Sequence, residues 1–136
     1  MKPSSCRALL TSSSHSGEEK ASRAGLSVAL IEPVLHLADL VLVMSVNPGF
    51  SNQAFLPDMV AKVAQVRRKL DEIKSTAHLE VDGGINADNL PGLKAAGANV
   101  FVTAHAIFSH PQGIEAGMAA LQAAIAQPTG RRVRNV

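Results

Sequence analysis

The sequence predicts an α/β fold built on a parallel sheet. Three observations point there. From about Ser22 onward, short apolar runs alternate with longer amphipathic stretches. The runs are continuous rather than alternating in polarity, as expected of strands covered on both faces. The stretches between most of them are long enough for crossover helices, which parallel neighbours require. Four runs and three to four helices amount to half of an eight-fold β/α barrel, with an open four-stranded α/β sheet as the structural alternative.

Taken in order, "LSVAL" (Leu26 to Leu30) and "LVLVMSV" (Leu40 to Val46) read as buried strands. The strongest helix follows: Met59, Val63, Val66, Leu70 and Ile73 recur at helical spacing, with Lys62, Arg67, Arg68 and Lys69 on the opposite face. "HLEV" (His78 to Val81) reads as the third strand. A shorter helix should start near Asp88 as N-cap, carry Pro91 in its first turn, and stop at Gly97. "NVFVTA" (Asn99 to Ala104) is the fourth strand. A final helix from Gln112 to Ala126 carries Ile114, Met118, Leu121 and Ile125 on one stripe, and Pro128 and Gly130 end it.

Composition narrows the functional classes. The chain has 136 residues, 46% hydrophobic and 18% charged, which suits one modest domain with a real core. Trp and Tyr are absent and Phe occurs four times, so a base-stacking nucleic-acid surface is not expected. The net charge is only +2, with Arg131, Arg132 and Arg134 gathered in a basic tail over 127–136. The single cysteine, Cys6, excludes an internal disulfide framework and fits a reducing compartment, the cytoplasm. No apolar run reaches membrane-spanning length. Residues 1–21 read as a divergent, disordered N-terminus; its Ser-rich, acid-free start is faintly like a transit peptide but lacks an Arg-rich amphipathic face.

Chemistry in parallel α/β folds gathers where strands end and βα loops begin. Three such junctions stand out. "MSVNPGFSNQAF" (Met44 to Phe55) is long and polar, with Phe50 and Phe55 as apolar anchors; it reads as a lid over a ligand, against the alternative of an ordinary surface connection. "VDGGI" ends a strand on Asp82, a candidate acid/base or metal-ligating carboxylate. Gly83 and Gly84 would let backbone amides approach an anion or a sugar. The alternative is a carboxylate that only caps its own turn. "VTAHAIF" (Val102 to Phe108) leads toward a helix start of the kind that binds phosphate, where His105 is either an anion contact or simply solvent-facing. His15, His36, His78 and His110 show no metal-ligand spacing and take no role.

These junctions, in this order, resemble the C-terminal half of the ribulose-phosphate 3-epimerase family. The resemblance rests on "DLVLVMSVNPGFSNQAFLP", "LEVDGGIN", "AAGANVFV" and "AIF", with "AGLSVAL" a looser fit to the preceding strand, and spans about residues 22–126. It implies a ribulose-phosphate-binding (β/α)8 barrel reduced to its last four units. It also implies metal-assisted inversion of C3 in D-ribulose 5-phosphate to give D-xylulose 5-phosphate, a step of the pentose phosphate pathway. The related allulose-6-phosphate 3-epimerases share much of the pattern. A base removes the proton beside the ketone, the enediolate is stabilised, and a second acid returns a proton on the other face.

Under the resemblance Asp82 is both metal ligand and one of the two acid/base carboxylates. Met44 lies by the reaction centre, Gly49, Phe50, Ser51 and Asn52 belong to the substrate-covering loop, and Gly83 and Gly84 contact substrate and phosphate. Ala104 and His105 stand where the family has a phosphate-binding Gly-Ser, and Ser51 and Asn52 where it has Gly-Gly. The expected cofactor is a divalent cation (Zn, Fe, Mn or Co), of whose family ligands only Asp82 is matched. The expected partners are a sugar phosphate and a second copy of the chain, with no nucleic acid and no membrane. The family's other catalytic aspartate, its His-x-Asp pair and a further metal histidine have no match here. That predicts impaired turnover, with a sugar-phosphate-binding remnant or a truncated fragment as alternatives. The short span from Leu30 to Asp39 predicts an internal deletion, because a parallel crossover needs about a dozen residues.

Overall fold

The computed structural model describes residues 27–46 and 54–128, together with the backbone of Arg7–Leu10. Four parallel strands form one sheet in chain order. They are β1 (Arg7–Leu10), β2 (Leu40–Met44), β3 (His78–Asp82) and β4 (Val100–Val102). The register runs Leu40 against His78 through Met44 against Asp82, and Glu80 against Val100 through Asp82 against Val102. The helices are α1 (Val28–Ile31), α2 (Asp58–Glu72), α3 (Leu90–Ala95), α4 (His105–Phe108) and α5 (Ile114–Ala126).

Side chains alternate across the sheet with the two-residue period of extended backbone. Val41 and Val43 of β2 and Leu79 and Val81 of β3 are fully buried, while Leu40, Leu42, Met44, Glu80 and Asp82 between them are half-buried. The buried set belongs to one core with Leu35, with Met59, Val63, Val66 and Leu70 of α2, with Leu90 and Leu93 of α3, and with Leu121 and Ala124 of α5. The helices therefore cover one face of the sheet. Asp82 sits on the other.

Of the segment expected as the first strand, Leu26 to Leu30, the part from Val28 on is instead helical: α1 runs into a 3-10 turn over Glu32–Leu37. Val28, Ile31 and Leu35 are its buried residues, at spacings of three and four, the helical period that the short apolar run concealed. The Ser27 hydroxyl accepts from the Ala29 amide at 3.3 Å, and Pro33 enters the 3-10 turn where no donor is needed. The strand beside β2 is Arg7–Leu10, within the terminus expected to be disordered. The crossover into β2 thus spans residues 11–39 and is long enough without any internal deletion.

Other elements shift by smaller amounts. The second run ends its strand at Met44, two residues before Val46, and the fourth keeps only Val100–Val102 of Asn99 to Ala104. Asn89, not Asp88, takes the N-cap position of α3; Pro91 is in the first turn, and Gly97 follows the helix at φ +106°. Lys62, expected on the solvent face of α2, is buried, and that burial lowers its pKa from the usual lysine value. Ile73, expected in the buried stripe, is exposed.

The final helix is turned relative to its expected stripe and starts at Ile114. Ile114, Met118 and Ile125 are exposed, whereas Gly117, Leu121 and Ala124 face inward. The cause is close packing: a Cβ at Gly117 would lie 2.7 Å from the Ala106 carbonyl oxygen. Gly117 and Ala124 let the backbones approach there, Leu121 stays inward as expected, and Ile114, Met118 and Ile125 are turned outward. Among the described residues no helix is long and apolar enough to cross a membrane. The basic tail lies outside the described residues apart from Gln127 and Pro128.

Candidate functional site

β3 ends on Asp82, whose register partners are Met44 at the end of β2 and Val102 at the end of β4. The half-buried carboxylate therefore stands at the C-terminal edge of the sheet between two apolar residues, as its place in the strand predicts. Among the described residues no hydrogen bond or ion pair reaches it.

The turn after Asp82 is held from three directions. The Ser45 hydroxyl lies 2.6 Å from the Gly83 carbonyl oxygen and 3.0 Å from that of Asp82, and the Ser45 amide donates to the Asp82 oxygen at 2.8 Å. Asn89 Nδ2 donates to the Gly84 oxygen at 2.9 Å, and Thr103 Oγ1 to the Ile85 oxygen at 2.8 Å. Four successive carbonyls are thus engaged by the ends of β2 and β4 and the start of α3. Asn89 is itself fixed, because the Asn86 side chain accepts from the Asp88 and Asn89 amides at 3.0 Å while Asn89 Oδ1 accepts from the Asn86 amide at 2.9 Å.

The two glycines are explained first by conformation and packing. Gly83 and Gly84 have φ of +116° and +65°. A Cβ on Gly83 would lie 2.6 Å from Val46 Cγ2, and one on Gly84 would lie 2.9 Å from the Phe55 backbone nitrogen. Left-handed backbone and close neighbours both demand glycine. With the carbonyls occupied, no acceptor among the described residues reaches the Gly83 or Gly84 amides. These amides are the donors such a turn offers to an anion.

Ala104 and His105 follow β4 at the same end of the sheet, Ala104 at the N-cap position and His105 in the first turn of α4; both are exposed. Gly49, Phe50, Ser51 and Asn52 lie outside the described residues, and so does most of the expected lid. Its C-terminal base is described: Phe55 is half-buried beside Gly84, and the Leu56 amide donates to the Ser45 oxygen at 2.9 Å. Among the described residues no three His, Cys, Asp or Glu side chains gather as metal donors.

Ser45, Asn86, Asn89 and Thr103 were not singled out from the sequence. Ser45 interrupts an otherwise apolar run, and Asn86-x-x-Asn89 before a helix is an Asx pattern; both are signals of a built turn.

The sequence model of the ribulose-phosphate 3 epimerase family matches residues 21–108. The ribulose-phosphate 3-epimerase of Escherichia coli K12 is 43% identical over 84 residues, covering 62% of this chain and 37% of that protein. That of Buchnera aphidicola from Acyrthosiphon pisum is 41% identical over 99 residues, covering 68% of this chain and 43% of the relative. Ribulose-phosphate 3-epimerase 1 of Cupriavidus necator is 44% identical over 85 residues, 60% of this chain and 35% of the relative. The chain thus spans about two fifths of the length of these relatives. With its parallel α/β sheet and a family match over most of its length, the chain belongs to the ribulose-phosphate 3-epimerase family, a family of isomerases.

Proposed function

We propose that this chain forms the second half of a (β/α)8 barrel and handles a ketopentose phosphate, D-ribulose 5-phosphate, at the C-terminal edge of its sheet. One observation carries the reading: Asp82 ends β3 in register with Met44 and Val102, immediately before a turn whose carbonyls are engaged and whose Gly83 and Gly84 amides meet no acceptor among the described residues. The half-buried face formed by Leu40, Leu42, Met44, Glu80, Asp82 and Val100 is the one that would line a barrel interior.

Asp82 then takes the proton from C3, made acidic by the neighbouring ketone, on one face of the sugar. Inversion needs a second acid on the opposite face, and the described residues place none opposite Asp82. The proton removed by Asp82 therefore returns to the same face or exchanges with solvent. A divalent cation, as the family resemblance implies, needs donors beyond Asp82. The same shortage favours a second reading, a sugar-phosphate-binding remnant without turnover.

Amide chemical shifts during titration with D-ribulose 5-phosphate test the site. The expected result is perturbation centred on Asp82, Gly83 and Gly84, larger than with inorganic phosphate alone. Perturbation confined to other regions would contradict it.

A further inference from the structure

The Ser45 side chain is fully buried at the end of β2, yet its hydroxyl is spent on neither its own turn nor a helix cap. It reaches across to β3, where its single hydrogen is shared between the Gly83 oxygen at 2.6 Å and the Asp82 oxygen at 3.0 Å. The same residue's amide donates to the Asp82 oxygen at 2.8 Å, and its carbonyl accepts from Leu56 at 2.9 Å. Its hydroxyl and its amide therefore both seat the Asp82–Gly83 peptide, and the hydroxyl also reaches the Gly83–Gly84 peptide.

Resting on the proposed reading of Asp82, we infer that Ser45 is a positioning residue for that carboxylate. The argument is geometric. A strand-end residue has two soft backbone torsions, and its side-chain rotamers depend on them. The backbone at Asp82 is followed by Gly83 at φ +116°, a residue that is permissive on both sides of φ zero. Glycine alone leaves the peptide after Asp82 free to rotate. The Ser45 hydroxyl removes that freedom by fixing the oxygens of two consecutive residues, 82 and 83, to one atom. Asn89 and Thr103 hold the following two carbonyls and do not touch Asp82. Ser45 is thus the side chain that fixes the direction in which the carboxylate leaves the strand. Proton transfer is sensitive to such placement, since a shift of about 1 Å can cost on the order of 10²-fold in rate.

The test uses Ser45→Ala, Ser45→Thr and Asp82→Asn in the full chain. Two readouts are taken: deuterium exchange at C3 of D-ribulose 5-phosphate, and the Hα–Hβ couplings of Asp82 without ligand. In Ser45→Ala, kcat for exchange is expected to fall about 10- to 100-fold with KM within about threefold, and the Asp82 couplings to move from one rotamer toward an average. Ser45→Thr, which restores the hydroxyl, should return both toward wild type. An Ala variant with wild-type couplings and wild-type exchange overturns the inference. If Asp82→Asn exchanges as fast as wild type, the reading of Asp82 as the base fails instead. The ligand-free couplings alone then decide whether Ser45 orients the side chain. If Ser45→Thr does not fold, the Ala variant carries the decision by itself.

Discussion

Gly84 has two reasons to be glycine: its φ of +65°, and a Phe55 backbone nitrogen 2.9 Å from where a Cβ would stand. Backbone cannot yield as a flexible side chain can. Gly84→Ala is therefore expected to destabilise the fold by about 1–3 kcal/mol, as read from chemical denaturation. A loss within a few tenths of a kcal/mol would show that the loop base moves freely. Asp82 and its two glycines were legible in the sequence because their pattern is local, a strand end followed at once by a turn. The residues that hold the turn were not. Ser45 lies 38 positions from Gly83, and Thr103 lies 18 from Ile85, so their partners appear only once β2, β3 and β4 are side by side. Lys62 was misplaced for a related reason: its position on the polar side of the periodicity says nothing about the neighbours that bury it.

At the scale of elements, periodicity located α2 because its stripe of large residues is unambiguous. Met59, Val63, Val66 and Leu70 are all buried. It failed for α5, where "IEAGMAALQAAIA" offers two stripes, one of large residues and one of small ones. Close approach to α4 at Gly117 turns Gly117 and Ala124 inward beside Leu121 and leaves Ile114, Met118 and Ile125 outside. Leu121→Ala should accordingly cost about 2–4 kcal/mol, whereas Met118→Ser should stay within about 0.5 kcal/mol, both measured by urea unfolding. Equal losses would mean that the outward stripe is covered. α1 was read as a strand because a five-residue apolar run fits either element; only Ile31 and Leu35, beyond the run, reveal the helical spacing.

At the scale of the whole molecule, the described residues form a parallel sheet in chain order with helices on one face and Asp82 on the other. That arrangement is why one carboxylate dominates the site: the strand ends gather Met44, Asp82 and Val102 in a row, and Asp82 is the titratable member. The chain spans about two fifths of the length of the relatives it matches. The most direct measurement is proton NMR of D-ribulose 5-phosphate in D2O with the chain and its Asp82→Asn variant. The account predicts loss of the C3 proton signal with the wild-type chain, little accompanying xylulose 5-phosphate, and exchange at least about 10²-fold slower with Asp82→Asn. Equal exchange by both proteins would contradict it.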